Sequence, residues 1–161
     1  MTGTRGGFAE GLRLVAERLN QPRLVNVVRQ PGINEAYRLT VQYHDGRFAD
    51  SVATLTVSQR GEVGLQVVFR RLRQNLTLSY TLAEERYRAL DAALRRLRFD
   101  RLADQPDLPL RGADLWLVER ASGSFAHDVV LAPAQATEAY AELVDLLSAQ
   151  LPEALRQISV K

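Results

Sequence analysis

Residues 53–69 read Ala53-Thr54-Leu55-Thr56-Val57-Ser58-Gln59-Arg60-Gly61-Glu62-Val63-Gly64-Leu65-Gln66-Val67-Val68-Phe69, and the spacing of their apolar side chains decides the fold. Ala53, Leu55 and Val57 recur at every second position. Val63, Leu65, Val67 and Phe69 then do the same. A period of two places each set on one face of a strand. The turn between them follows by arithmetic. A three-residue loop, Gln59-Arg60-Gly61, opposes Val57 to Val63, Leu55 to Leu65 and Ala53 to Val67. A two-residue loop opposes Val57 to Gly64 and turns Gln66 inward. The longer loop fits, with Gly61 in the left-handed conformation.

Upstream, Tyr37, Leu39, Val41 and Tyr43 alternate with Arg38, Thr40 and Gln42. Asp45-Gly46 then signals a two-residue hairpin turn. The apolar parity shifts between Phe48 and Val52 on one side and Ala53, Leu55 and Val57 on the other. A β-bulge near Val52-Ala53 is therefore expected, since one extra residue restores the pattern. Downstream, Arg70 to Asn75 turn the chain into a strand of Leu76, Leu78, Tyr80 and Leu82. Residues 36–82 thus read as a four-stranded meander with one apolar face, and helices must cover it.

The flanks supply them. Phe8, Leu12, Val15, Ala16 and Leu19 share one helical face, with Arg13 and Glu17 opposite. Pro22 closes that segment. Val25, Val27 and Val28 suggest a short strand, ended by Pro31-Gly32. Residues 83–98 put Ala83, Tyr87, Leu90, Leu94 and Leu97 on one side. Thr81 and Glu84 have capping-box spacing, and Glu84, Arg88, Asp91 and Arg95 form an i,i+4 charge ladder. A loop over 100–113 contains Pro106 and Pro109. Leu115–Val118 and Phe125–Leu131 follow as a hairpin around Ser122-Gly123. A last helix over 134–150, led in by Pro133, has Ala136, Tyr140, Leu143, Val144, Leu147 and Leu151 on its face, and Pro152 breaks it. The expectation is a single α+β domain over residues 1–161. Its antiparallel sheet has four to six strands, meander plus C-terminal hairpin, covered by two or three helices.

Composition narrows the function classes. The chain has 161 residues, 46% hydrophobic and 25% charged. Its mean hydropathy is −0.18. Those values suit a packed domain, not a disordered tail. No apolar run reaches the length of a membrane span, and the N-terminus has no signal-peptide core, so a cytoplasmic location is expected. Of 21 basic residues only Lys161 is lysine, a bias expected of a GC-rich bacterial genome. Without Cys, disulfides, thiolate catalysis and Cys-based zinc sites are excluded.

Catalytic motifs are missing as well. His44 adjoins a turn. His127 and Asp128 are strand neighbours and point to opposite faces. Neither His has a metal-ligand spacing. Ser122-Gly123-Ser124 reads as a turn, not a nucleophile elbow. Gly3, Gly6 and Gly7 lack the preceding strand and following Lys of a phosphate loop, and read as a frayed terminus. Asn75-Leu76-Thr77 matches the glycosylation acceptor pattern, which is short and frequent by chance. No catalytic residue, metal or cofactor is expected.

Two candidate sites remain. Arg70, Arg71 and Arg73 crowd one hairpin tip, and Arg96 and Arg98 end the following helix. Together they form a candidate basic patch for an acidic protein partner. No aromatic residue is interleaved with the tip as a base-stacking surface requires, so nucleic acid is not expected. The alternative is a small-molecule pocket between sheet and helices lined by Trp116 and His127, with Tyr37, Tyr43 and Tyr80. Charge is segregated along the chain. Residues 60–101 carry ten basic and five acidic side chains, residues 102–161 four and nine.

The stretch Thr81 to Leu151 resembles emfourin, a small bacterial protein inhibitor of metalloproteases. The shared features are Thr81-Leu82-Ala83-Glu84-Glu85, spaced Leu90 and Leu94, and Phe99-Asp100-Arg101-Leu102. Arg111-Gly112-Ala113-Asp114, two strands and a closing helix with Leu143-Val144 complete them. The likeness covers under half the chain. The element order is also similar to secretion-chaperone folds, which build dimers, although this chain has extra strands and is not acidic. Both resemblances imply protein binding. The expected function is a non-enzymatic protein-binding module (adaptor, chaperone-like factor or inhibitor) that takes a protein partner or self-associates, with no membrane partner.

Overall fold

The computed structural model describes the backbone of residues 3–161 and side chains from residue 7 onward. Met1 and Thr2 of the glycine-rich start lie outside the described residues. In chain order come helix α1 (Gly3–Arg18), short helix α2 (Leu24–Val27) and strands β1 (Ile33–Gln42), β2 (Ser51–Ser58), β3 (Val63–Phe69) and β4 (Leu76–Leu82). Helix α3 (Glu84–Leu97), strands β5 (Leu115–Ser122) and β6 (Phe125–Leu131) and helix α4 (Ala139–Gln150) complete it. The strands form one antiparallel sheet in the order β4-β3-β2-β1-β5-β6. The meander and the C-terminal hairpin meet on β1, and the fold is α+β.

The β2–β3 hairpin has the register that the alternation dictates. Val57 faces Val63, Leu55 faces Leu65 and Ala53 faces Val67. Gly61 has φ +83°, which glycine adopts without a Cβ penalty. The next pairing is equally regular, with Phe69 opposite Leu76 and Leu65 opposite Tyr80.

The β1–β2 connection corrects two expectations. It spans residues 43–50 rather than a two-residue turn. Leu39 then faces Ala53 and Thr40 faces Val52 with no bulge between them. The longer loop absorbs the parity change, so no extra residue is needed. Asp50 holds that loop by accepting the Tyr43 N–H at 2.9 Å, and the Ala49 N–H donates to the Ile158 carbonyl at 2.7 Å. Val52 belongs to the other face, packed with Val15, Ala16, Leu19 and Val68. The register irregularity of this pair lies between Ile33 and Glu35.

Three local readings also change. Residues 24–27 are helical, not a strand. Leu24, Val27 and Val28 pack as one group on Ala36 and Ala121, and that burial outweighs the β preference of valine. Thr81 does not cap α3, whose N-cap is Ala83. Thr81 is engaged in β4, opposite Gly64. The backbone of Gly3–Gly7, expected to fray, is the first part of α1.

Helices cover both sheet faces. On one, Leu90 and Leu94 of α3 and Leu143 and Leu147 of α4 pack on Leu39, Leu55, Leu65, Val118 and Val129. On the other, Leu12 of α1 packs on Leu117 and Val130. This two-sided burial explains why β5 and β6 carry apolar residues on both parities. The basic and acidic thirds of the sequence lie side by side, because α3 packs on α4. Arg86 pairs with Glu153 at 2.7 Å and also donates to the Gln150 carbonyl.

Candidate functional site

Cross-strand register assembles a row of polar side chains that no single segment displays. Ser79 on β4 faces Gln66 on β3, Gln66 faces Thr54 on β2, and Thr54 faces Arg38 on β1. Arg38 faces Glu119 on β5, and Glu119 faces Asp128 on β6. The row runs between α1 and α2, across all six strands. Arg38 is buried and donates to Thr54 Oγ1 at 3.0 Å and to the Pro22 carbonyl at 2.6 Å. Burial lowers its pKa, which the charge of Glu119 opposes. Burial also raises the Glu119 carboxyl above the usual carboxylate range, against the pull of Arg38 and Arg13. Arg13, which helical periodicity placed outward, turns onto the sheet. It bonds Asp128 and lies 3.8 Å from Glu119. A cavity of about 260 Å³ opens beside Arg13, Arg38, Glu119 and Asp128.

The opposite face carries a second polar cluster. Glu35 accepts the Tyr37 hydroxyl at 2.8 Å and the Tyr87 hydroxyl at 2.5 Å. Arg120 lies 3.3 Å from the same carboxylate. The Tyr37 hydroxyl also reaches Asp91 at 3.1 Å. Burial and then the Glu35 charge push the Tyr37 pKa up. These bonds pin α3 to β1.

The expected site residues do not converge. Trp116 is buried in the core, between Val41 and Leu131 in the register. His127 packs edge-on to Phe99 at 5.3 Å, with Nε2 2.8 Å from the Leu102 carbonyl. On that face Tyr37 and Trp116 are buried among core side chains, and His127 is half-buried. The candidate basic patch is divided as well. Arg70, Arg71 and Arg73 follow the β3 end at Phe69. Arg96 and Arg98 lie where α3 approaches Phe99, beside β6 and across the sheet. His44, Asp45 and Asp114 bring three possible ligand atoms within 4.8 Å of one another. Arg47 pairs with both carboxylates there, at 2.5 and 3.1 Å, and offsets part of their charge.

The sheet has two unlike edges. Along β6, Asp104 accepts the Val130 N–H at 2.9 Å and the Gln105 N–H donates to the Val130 carbonyl at 2.9 Å. Gln105 Oε1 accepts the Ala132 N–H at 2.9 Å. Along β4, among the described residues, backbone bonding goes to β3 alone. This seven-residue strand reads Leu-Thr-Leu-Ser-Tyr-Thr-Leu, with no charge and no proline. Thr77, Ser79 and Thr81 are exposed, while Leu76, Leu78 and Tyr80 are half-buried. Folded proteins ordinarily guard such an edge with charge, proline, a bulge or a covering segment. The missing guards were visible in the sequence. That β4 lies at an edge was not, because edge position depends on β5 joining β1.

The chain matches no family model and no curated protein. Among the described residues, no helix is long and apolar enough to cross a membrane.

Proposed function

We propose that the chain is a non-enzymatic, cytoplasmic protein-binding module of a GC-rich bacterium and that β4 is its binding element. The observation that carries this reading is the uncharged, proline-free and uncovered edge of Leu76–Leu82. An exposed strand edge offers main-chain donors and acceptors for another strand, and alternate side chains supply selectivity. Charge steering contributes little, because α3 and α4 lie side by side and pair through Arg86 and Glu153. The test compares the wild-type chain with the Thr77→Lys, Thr81→Lys double variant in pull-downs from lysate of the source organism. Both positions are exposed, so the fold is retained. Partners captured by the wild type and lost with the double variant support the reading. An identical set of partners overturns it.

A second reading, a small-molecule site between sheet and helices, is favoured by one observation. The cavity between α1, α2 and the sheet is lined by a buried guanidinium, Arg38, and a half-buried carboxyl, Glu119. That combination suits a small zwitterion such as an amino acid. A thermal-shift screen of free amino acids tests it, with Glu119→Gln as control. A shift seen in the wild type and lost in the variant supports it, and no shift with any amino acid removes it.

A further inference from the structure

We propose that the occupant of the β4 edge is a second copy of this chain, paired antiparallel about a twofold axis through Ser79. The inference rests on reading β4 as the binding edge. Its ground is the symmetry of the strand. About Ser79 the sequence is nearly palindromic: Leu76 matches Leu82, Thr77 matches Thr81, and Leu78 matches Tyr80. Isologous association requires one surface to complement itself. In the register centred on Ser79, Thr77 meets Thr81 of the second copy and Leu78 meets its Tyr80. Every exposed hydroxyl position lies beside another. Every apolar position of the strand lies beside another on the α3 face. Apolar and Thr–Thr cross-strand pairs of this kind are the favourable ones.

Charge suits the same antiparallel arrangement. Arg73 lies six residues before Ser79 and Glu85 six residues after it, and both are exposed. Arg73 lies in the turn before β4 and Glu85 in the first turn of α3, so the twofold sets a basic turn of one copy near the acidic helix start of the other at each end of the ladder. Sliding the strands by two residues in either direction keeps the faces matched but loses terminal pairs of the ladder. The product is one continuous antiparallel sheet of twelve strands, six from each copy. It leaves β6 at both outer edges, where residues 102–105 cover it.

The chain has no cysteine, so a single introduced thiol reports the register directly. Antiparallel neighbours have Cα atoms about 4.5–5.5 Å apart, inside the disulfide range. Ser79→Cys therefore places the two thiols side by side on the axis. In Thr77→Cys the two thiols are offset by four residues, about 14 Å along the strands, too far to join. The expected result is a dimer by light scattering for the wild type, with oxidation cross-linking Ser79→Cys nearly completely and Thr77→Cys only at background. Ser79→Lys, with two ammonium groups meeting on the axis, is monomeric at concentrations where the wild type is dimeric. Ser79→Asp behaves likewise, and mixing the two variants restores a heterodimer. Equal cross-linking at positions 77 and 79, or failure of the mixture to associate, overturns the register. A wild type that stays monomeric at all concentrations overturns self-pairing. If the Thr77→Lys, Thr81→Lys variant then still loses lysate partners, the protein-binding reading of β4 survives with a different strand as occupant.

Discussion

The two edges of the sheet solve the same problem in opposite ways. On β6, the segment after Phe99 lies along the strand, and Asp104 and Gln105 satisfy the backbone groups of Val130 and Ala132. Charged side chains add protection, since Asp128 pairs with Arg13 and Arg120 lies one strand inward. On β4 neither device is present. An edge that can be covered by a few residues of loop is left bare in the same molecule, on the strand whose sequence is most nearly symmetric. The contrast teaches that exposure at β4 is a property of that strand, not a failing of the fold.

Removing the cover of β6 gives the largest expected effect. Phe99 is fully buried and anchors the start of the covering segment against His127. Phe99→Ala should destabilise the chain by about 3–5 kcal/mol, the usual cost of emptying a phenylalanine site. Urea unfolding measures it, and a loss under about 1 kcal/mol would show that the segment is held some other way.

Gln105 comes next. Its side chain accepts from Ala132 and donates to the Gln135 carbonyl at 3.0 Å. Gln105→Ala leaves a buried N–H without its acceptor, at a cost of about 1–3 kcal/mol. Hydrogen exchange should quicken at Ala132 while β4 amides are unaffected.

Glu119 adds a pH signature on the β6 side. Its folded pKa is raised by burial, so the native state holds this proton to higher pH than the unfolded chain. Its stabilising contribution is complete below the unfolded value of about 4.3 and is lost as pH rises through the raised folded value. Glu119→Gln should flatten that fall. A urea midpoint with the same acid-to-neutral slope in both proteins would show that Glu119 does not set it.

The smallest stability change is expected at the bare edge. Thr77→Lys adds charge to an exposed position and should alter monomer stability by less than about 0.5 kcal/mol, while weakening edge pairing. A large loss of monomer stability, read by urea unfolding at dilutions where the dimer dissociates, would mean that Thr77 packs within the chain.

Regularity governed what could be read in advance. Strict alternation around Gly61 made the β2–β3 register legible, because only one loop length matches apolar faces. Asp45-Gly46 misled, since turn chemistry reports a local bend but not the length of the loop around it. The strand-like valines at 25, 27 and 28 misled for a related reason: burial on Ala36 and Ala121 chose the helix. The polar row stayed hidden because its six residues come from six strands. Arg38, Glu119 and Asp128 become neighbours only when register is known. Arg13 was placed outward because a charged residue beside Glu17 reads as solvent-facing until Glu119 and Asp128 are seen beneath it.

The placement of β1 has a kinetic consequence. Its pairing with β2 joins residues close in sequence, such as Leu39 and Ala53, whereas its pairing with β5 joins Tyr37 to Arg120. Contacts so distant in the chain form late. Until the C-terminal hairpin docks, the strand that ends at the centre of the sheet is itself an open edge. Glu35 and Arg38, buried in the finished protein, are then charges on an exposed strand, where they act as gatekeepers against aggregation. The same two residues thus serve the nascent chain as repellents and the mature one as anchors, Glu35 for α3 and Arg38 for the segment at Pro22.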